Sequence, residues 1–495
     1  MEDGALVEAH ARSGEGKPSI GRPPLNGGEG PAAADASVRR SALFIAILAS
    51  FLTPFESSGV NIALPTIGGQ LHMNAITLSW VGTAYLLASS AVLVPFGRAA
   101  DLYGRKRVFQ YGMVVWIVFS LLGGLSPNGE LLVAFRFMQG MGGGMIFGTS
   151  VAILTSVYPA SERGRVLGIS VASVYVGLSV GPFVGGLMTA TLGWRSVFFL
   201  VDALGVMVLL VTIRNLKGEW AGSRGEAYDL PGAAIYALML VSVVVGFTML
   251  PRPVGVALLS AGVAVLVLFV VREGRVASPV FDIRLFTKNR VFAFSNLATI
   301  INYSATFAVG FFLSLYLQLI RGLTPERAGL ILLAQPILQA ALSPAAGRLS
   351  DRIEPRIVAS IGMAISFVGL LVLVTLTRTT PYYIIIANLA ILGVGFAFFS
   401  SPNSNAIMGS VKRAHYGVAA STLATMRAIG QTLSLSMAVL LLGVYVGAVQ
   451  VSSIDPVKFM GGVHTGFIIF SVLSFFGIFA SLVRGNVRGP DGNGE

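Results

Sequence analysis

Cysteine is absent from the 495 residues, so neither a disulfide nor a thiolate metal site is available to this chain. Charge is scarce: Asp, Glu, Lys and Arg make up 11% of the residues, where a soluble protein carries roughly a quarter. The four histidines, His10, His72, His415 and His464, show no metal-ligand spacing, so no metal centre is expected. A Walker phosphate-binding motif is missing, which argues against ATP-driven work, and no catalytic cluster suggests an enzyme. The formal net charge of +12 does not point to nucleic acid, because most cations sit in short segments between apolar runs, where they set topology.

What the chain has is apolar length. Hydrophobic residues make up 54% of it, and apolar runs of about 18 residues or more recur, each long enough to cross a bilayer. An all-α polytopic membrane protein follows, because helices satisfy their own backbone groups in lipid. Fourteen candidate transmembrane helices fall near 42–66, 77–97, 107–126, 130–157, 162–190, 195–214, 230–250, 254–272, 291–320, 326–347, 356–377, 381–408, 416–447 and 464–484. Residues 1–40 are rich in Gly, Pro, Ala and Glu and read as a disordered cytoplasmic tail without a cleavable signal peptide. Loops on the side of the N-terminus, with the C-terminal tail, hold twenty-one Lys and Arg residues against six on the opposite side. Both termini are therefore expected in the cytoplasm.

An internal repeat organises these helices. Gly97-Arg98-Ala99-Ala100-Asp101 recurs as Gly347-Arg348-Leu349-Ser350-Asp351, offset by 250 residues and each time after the second helix of a six-helix run. The expected architecture is two pseudo-symmetric six-helix bundles, 41–215 and 291–484, joined by a linker at 216–290 that adds helices 7 and 8, with a short cytoplasmic tail at 485–495. Halves related in this way suggest a transporter that rocks around a midplane site.

The fifth helix is the densest in signal. Gly168, Gly177, Gly181, Pro182, Gly185 and Gly186 lie within one apolar segment, although each Gly costs roughly 1 kcal/mol and Pro about 3 in a water-exposed helix interior. At about 100° per residue, Gly177, Gly181 and Gly185 share one side, with Gly168 and Gly186 opposite. Ordinary small-residue packing explains such a stretch, and so does a functional bend at Pro182. The expectation is that the first three form a groove against a helix of the other half and that a dry seal there stops proton leakage.

Charges within spans are expensive and functional by default. The acids are Glu56 in helix 1 and Asp202 in helix 6; the cations are Arg136 in helix 4 and Arg427 in helix 13. The residue 250 positions after Glu56 is Thr306, which does not titrate, so the proton chemistry is expected in one half only. Glu56 is expected to hold either a proton or a cationic substrate in turn, with Arg136 tuning it; a structural pair is the plainer reading of these residues. Among polar residues in apolar helices, Asn61, Gln335 and Asn403 rank first as candidate substrate-cavity residues, and the 31 Phe supply greasy walls.

Motifs turn this into a resemblance. Gly97-Arg98-Ala99-Ala100-Asp101-Leu102-Tyr103-Gly104-Arg105-Lys106-Arg107, Arg136-Phe137-Met138-Gln139-Gly140, the fifth-helix glycines with Pro182, Glu56 through Pro65, and Arg427-Ala428-Ile429-Gly430-Gln431 together resemble the major facilitator superfamily, and within it the fourteen-helix drug:proton antiporters (the QacA/EmrB-like multidrug exporters) over roughly residues 41–485. Glu56 stands where that family usually has Asp, and the second loop copy lacks the Gly that follows, having Glu354 and Pro355. The resemblance implies a proton-coupled exporter of small lipophilic, cationic drugs in the cytoplasmic membrane of a prokaryote, working as a monomer with the proton as coupling ion and no cofactor. It also implies a conformational latch in which Asp101 meets a helix N-terminus and an Arg of a neighbouring helix, with Gly97, Arg98, Gly104, Arg105, Lys106 and Arg107 around it and a weaker counterpart at Asp351. The superfamily resemblance alone leaves a proton-coupled symporter, a facilitator of a small metabolite, or an exporter of an endogenous metabolite open.

Overall fold

The computed structural model describes residues 36–222, 226–276, 279–281, 283–412 and 416–486. Most of the expected tails, with Arg224, Arg413, His415 and Arg488, lie outside the described residues. Helix accounts for 85% of the described residues, and no strand forms among them.

Fourteen helices are long and apolar enough to span a membrane: α1 Ser37–Gln70, α2 Ala75–Tyr103, α3 Arg105–Gly124, α4 Gly129–Val157, α5 Arg165–Thr191, α6 Arg195–Asn215, α7 Leu230–Thr248, α8 Pro253–Glu273, α9 Arg290–Ile320, α10 Pro325–Ser350, α11 Pro355–Val374, α12 Tyr382–Gly409, α13 Tyr416–Tyr445 and α14 Pro456–Val483. Their starts are written in local chemistry. Asn74, Asn128, Asp229 and Asn289 cap α2, α4, α7 and α9, each side chain accepting a backbone N–H three residues on at 2.8–2.9 Å. Thr324 and Asp455 precede Pro325 and Pro456, which sit at first-turn positions where no helical N–H is missed.

Two helices depart from the regular spans expected. α9 is interrupted at Phe307 and ends in a π-helical stretch, Tyr316–Ile320. α10 breaks at Leu333 into Pro325–Leu332 and Ala334–Ser350.

Helices α1–α6 pack as one bundle and α9–α14 as a second. α7 lies along the seam, touching α2 of one bundle and α13 of the other, and Tyr236 donates to the Ser90 carbonyl at 3.2 Å. α8 packs mainly on α7, and only 17% of its most apolar window is buried, so its Val and Leu face the surroundings. In a bilayer that face meets lipid.

The glycine face of α5 is not where the sequence places it. A Cβ on Gly177 would come within 2.5 Å of the Phe51 carbonyl, and one on Gly185 within 2.6 Å of Gly59; one on Gly181 would collide with the Ser58 hydroxyl. All three neighbours are on α1, so the groove lies inside the N-terminal bundle and not against the other half. The opposite face makes the cross-bundle contact: a Cβ on Gly186 would reach the Pro325 carbonyl of α10 at 2.5 Å, and one on Gly329 would collide with the Pro182 carbonyl. Helical phase divides the glycines correctly, but it does not say which neighbour occupies which side.

Candidate transport site and coupling centre

Between the bundles lies a cavity of about 230 Å³. At the face opposite the termini the halves close over it. Ser314 donates to the Asn61 carbonyl at 3.0 Å, Gln318 to the Ile62 carbonyl at 2.9 Å, and the 449–451 segment exchanges backbone hydrogen bonds with Met73 and Ala75. Nearer the termini, Gly168 of α5 and Gly97 of α2 have no heavy atom within 4 Å of where a Cβ would sit.

The cavity wall carries Asn61 and Gln335, as expected from the sequence, together with Ser57, Tyr85, Tyr175, Tyr303, Gln339, Gln431 and Arg427. Phe147, Phe307 and Phe396 supply the apolar surface, and Thr306 lines it at the position equivalent to Glu56. Asn403 does not line it. Its amide donates to the Ser295 carbonyl at 3.1 Å and to Thr299 at 2.9 Å, while its oxygen accepts from Arg484 at 2.7 Å. Both ends of the side chain are committed, the oxygen to buried Arg484 and the amide to α9.

Glu56 and Arg136 meet in the core of the N-terminal bundle. Arg136 Nη1 lies 2.5 Å from Glu56 Oε1 and donates to Gln139 at 2.7 Å; Gln139 donates to the same carboxylate oxygen at 2.8 Å. The pair is almost fully enclosed, with side-chain exposures of 1% for Arg136 and 0% for Glu56. Isolated buried charges cost several kcal/mol each, roughly, so the mutual pairing is what lets them stay. Glu56 Oε2 has no partner, which leaves one carboxylate oxygen with room for a proton. Gln139 lies three residues after Arg136 on the same helix face, and that spacing was the available signal for a role its motif alone did not reveal.

Tyr85 joins this centre to the cavity. Its ring is 4.2 Å from the Arg136 guanidinium carbon, and the same residue lines the cavity. Glu56 itself does not reach the cavity wall. Direct competition between proton and substrate at this carboxylate is therefore not available in this conformation, because Arg136, Gln139 and Tyr85 stand around it. Asp202 is buried on α6 facing Ser120 of α3, with neither carboxylate oxygen in a hydrogen bond of good geometry. It lies within electrostatic reach of Glu56, and no ion pair joins it to Arg136 among the described residues.

The loop between α2 and α3 is wired differently from the latch expected. Asp101 near the end of α2 pairs with Arg105, the first residue of the neighbouring α3, at 2.7 Å, and Arg105 continues to the Ala152 carbonyl at 2.9 Å and to Ser156 on α4. The N-terminus of α3 is met by Glu219, from the segment after α6, which accepts from the backbone of Lys106 at 2.8 Å and of Arg107 at 3.2 Å. Gly104 makes this possible: its φ of +121° turns the chain sharply, and a Cβ there would strike the Glu219 carboxylate at 2.5 Å. Lys106 Nζ donates to the Leu216 carbonyl at 2.5 Å, and Arg98 binds Glu226 at 2.6 Å. Glu219 and Glu226 went unread in the sequence because nothing in their local pattern ties them to a loop more than a hundred residues earlier. Asp351 is exposed beyond the end of α10.

These two bundles, the seam helices and the central cavity can now be set beside known proteins. The family description Major Facilitator Superfamily matches residues 46–272 and 296–494. The chain belongs to this superfamily. Its relatives include the cephamycin export protein CmcT of Amycolatopsis lactamdurans, 31% identical over 81% of this chain and 84% of the relative. The riboflavin transporter RibZ of Clostridioides difficile is 29% identical over 78% of this chain and 84% of the relative. The multidrug resistance protein Stp of Mycobacterium tuberculosis is 28% identical over 79% and 73%. Among solved structures, a bacterial homologue of the human lysosomal transporter Spinster superposes with a TM-score of 0.67 at 14% identity, covering 91% of this chain and 97% of that one. The protein is thus a membrane transporter of the major facilitator fold and not an enzyme.

Proposed function

We propose that this transporter is a proton-coupled exporter of small lipophilic compounds working by alternating access, seated in the cytoplasmic membrane with both termini inside. The observation that carries the reading is the enclosed Glu56–Arg136–Gln139 centre, one tyrosine away from the substrate cavity. Ionised Glu56 holds Arg136 and Gln139. A proton on its unpartnered Oε2 ends the ion pair, and the change passes through Tyr85 into the cavity wall. Proton and substrate then communicate through Arg136 and Tyr85 without sharing one carboxylate. Proton entry supplies about 1.4 kcal/mol per pH unit and about 2.3 per 100 mV. The relatives named for multidrug resistance and cephamycin export support the outward direction.

Symport or facilitated diffusion of a metabolite is the second reading, favoured by the riboflavin transporter among the relatives. Reconstituted vesicles with an imposed pH gradient distinguish the two. Antiport drives substrate against the proton flux, symport drives it along, and a facilitator ignores the gradient. Glu56→Gln should abolish the gradient-driven component while exchange at equal pH persists; gradient-driven transport in that variant refutes the coupling role.

A further inference from the structure

The cavity wall contains one charged side chain, Arg427, and no Asp or Glu among its described residues. Three cations elsewhere in the molecule have carboxylate partners, Arg136 with Glu56, Arg272 with Asp229 and Arg105 with Asp101, and buried Arg484 is held by Asn403 and Ser295 away from the cavity. The polar contact recorded for Arg427 is one hydroxyl, Ser404 at 3.0 Å; the ring of Tyr303 lies 5.8 Å from its guanidinium carbon, and its Nε is buried without a partner. A second donor of the same wall is also unsatisfied. Gln339 is 4% exposed and its Nε2 has no hydrogen bond. A guanidinium fork with spare donors is shaped for a carboxylate or another planar oxyanion. Glu56, the acid expected to meet a cationic ligand, is taken by Arg136 and absent from the wall.

We infer that the cavity selects lipophilic molecules bearing an anionic group, such as an aryl carboxylate, with the anion on Arg427, Gln339 as a further donor, and the apolar body against Phe147, Phe307 and Phe396. This rests on the reading of the cavity as the exporter's substrate site, and it replaces the cationic substrate expected from the sequence. A cation placed there would meet a like charge and no counter-ion.

The test is binding of three matched probes, anthracene-9-carboxylate, 9-anthracenemethanol and 9-(aminomethyl)anthracene, to the full chain in phosphatidylcholine nanodiscs, with empty discs subtracted. The wild type should bind the carboxylate at least tenfold more tightly than the amine. Arg427→Gln should erase that preference and leave the alcohol unchanged, whereas Arg427→Lys should keep part of it. Gln339→Leu, which removes no charge, should weaken the carboxylate alone by a few fold, so the inference stays testable if Arg427→Gln does not fold. Equal or tighter binding of the amine, no binding of the carboxylate, or a preference that survives Arg427→Gln overturns it. Because the assay needs no gradient, carboxylate preference without proton-linked transport would fail the exporter reading alone. Proton-linked transport of the amine without carboxylate preference would fail this inference alone.

Discussion

In the bundle of α1–α6, Glu56 and Arg136 neutralise one another at 2.5 Å with Gln139 closing the group; in the bundle of α9–α14, Arg484 is 0% exposed and held by Asn403 and Ser295, and Arg427 leans on Ser404, neither in an ion pair among the described residues. The two bundles share a backbone plan but not a polar plan. An ion pair with a carboxylate can be broken by one proton. A guanidinium held by neutral groups keeps its charge across the physiological range. On the proposed coupling, the N-terminal bundle is the half that responds to protons, and the C-terminal bundle supplies a constant positive potential beside the cavity.

The sharpest way to break that contrast is at Glu56. Removing one partner of a buried pair leaves the other uncompensated, at a cost of about 3–5 kcal/mol. Glu56→Gln should lower the thermal midpoint, and adding Arg136→Gln should recover much of the loss while proton-driven transport stays absent. A single variant as stable as the wild type would mean the pair is not the electrostatic centre of its bundle.

Next in size is the difference between contacts inside a bundle and contacts between bundles. Gly181→Leu forces atoms into Ser58 and the Phe55 carbonyl of the same bundle, and overpacking of this kind costs about 1–3 kcal/mol. Gly186→Leu instead strikes Pro325 of the other bundle, which packs directly against it. It should leave stability near wild type and hold the seal open at the face opposite the termini. Because the chain has no cysteine, a single cysteine introduced at Asn61 reports this cleanly by maleimide labelling from that face. Faster labelling is expected in Gly186→Leu; an unchanged rate breaks the assignment of the α5–α10 contact as the seal.

Smaller again, Arg484→Gln removes charge-assisted hydrogen bonds worth roughly 1.5–3 kcal/mol each in favourable cases, offset by relief of a buried cation. A modest drop in midpoint with unchanged proton dependence of transport is expected. A changed proton dependence would dissolve the contrast between the bundles.

The smallest effect belongs to neither bundle. Asp229 caps α7, and the Arg272 side chain, hydrogen-bonded to both carboxylate oxygens, holds its pKa below the ordinary carboxylate value. A depressed folded-state pKa contributes stability above the unfolded value of about 3.9, and that stability is lost as pH falls through the folded value. The stability gap between wild type and Asp229→Asn should be flat from neutral pH down to about 4 and shrink below it. A gap that grows on acidification would reverse the sign.

Much of the molecule was legible from residue patterns. The number of spans, the burial of Glu56 and Arg136 and the cavity positions of Asn61 and Gln335 follow from apolar length, the cost of charge in lipid and the rarity of polar residues in apolar helices. Asn403 misled for a physical reason: a polar residue in an apolar helix serves equally to face a cavity or to hold a buried neighbour. Only the spatial arrangement separates the two, and here the neighbour is Arg484, 81 residues away.

The fifth helix shows the same division. Apolar length and the 3.6-residue period determined that Gly177, Gly181 and Gly185 lie together and that Gly186 lies opposite, because phase is an intrinsic property of one helix. Tertiary structure alone decided that the first three receive α1 and the last receives α10. It also decided that Glu56 is walled from the cavity while Arg427 faces it. Periodicity specifies an angle around a helix axis; which partner fills that angle depends on how fourteen helices pack together.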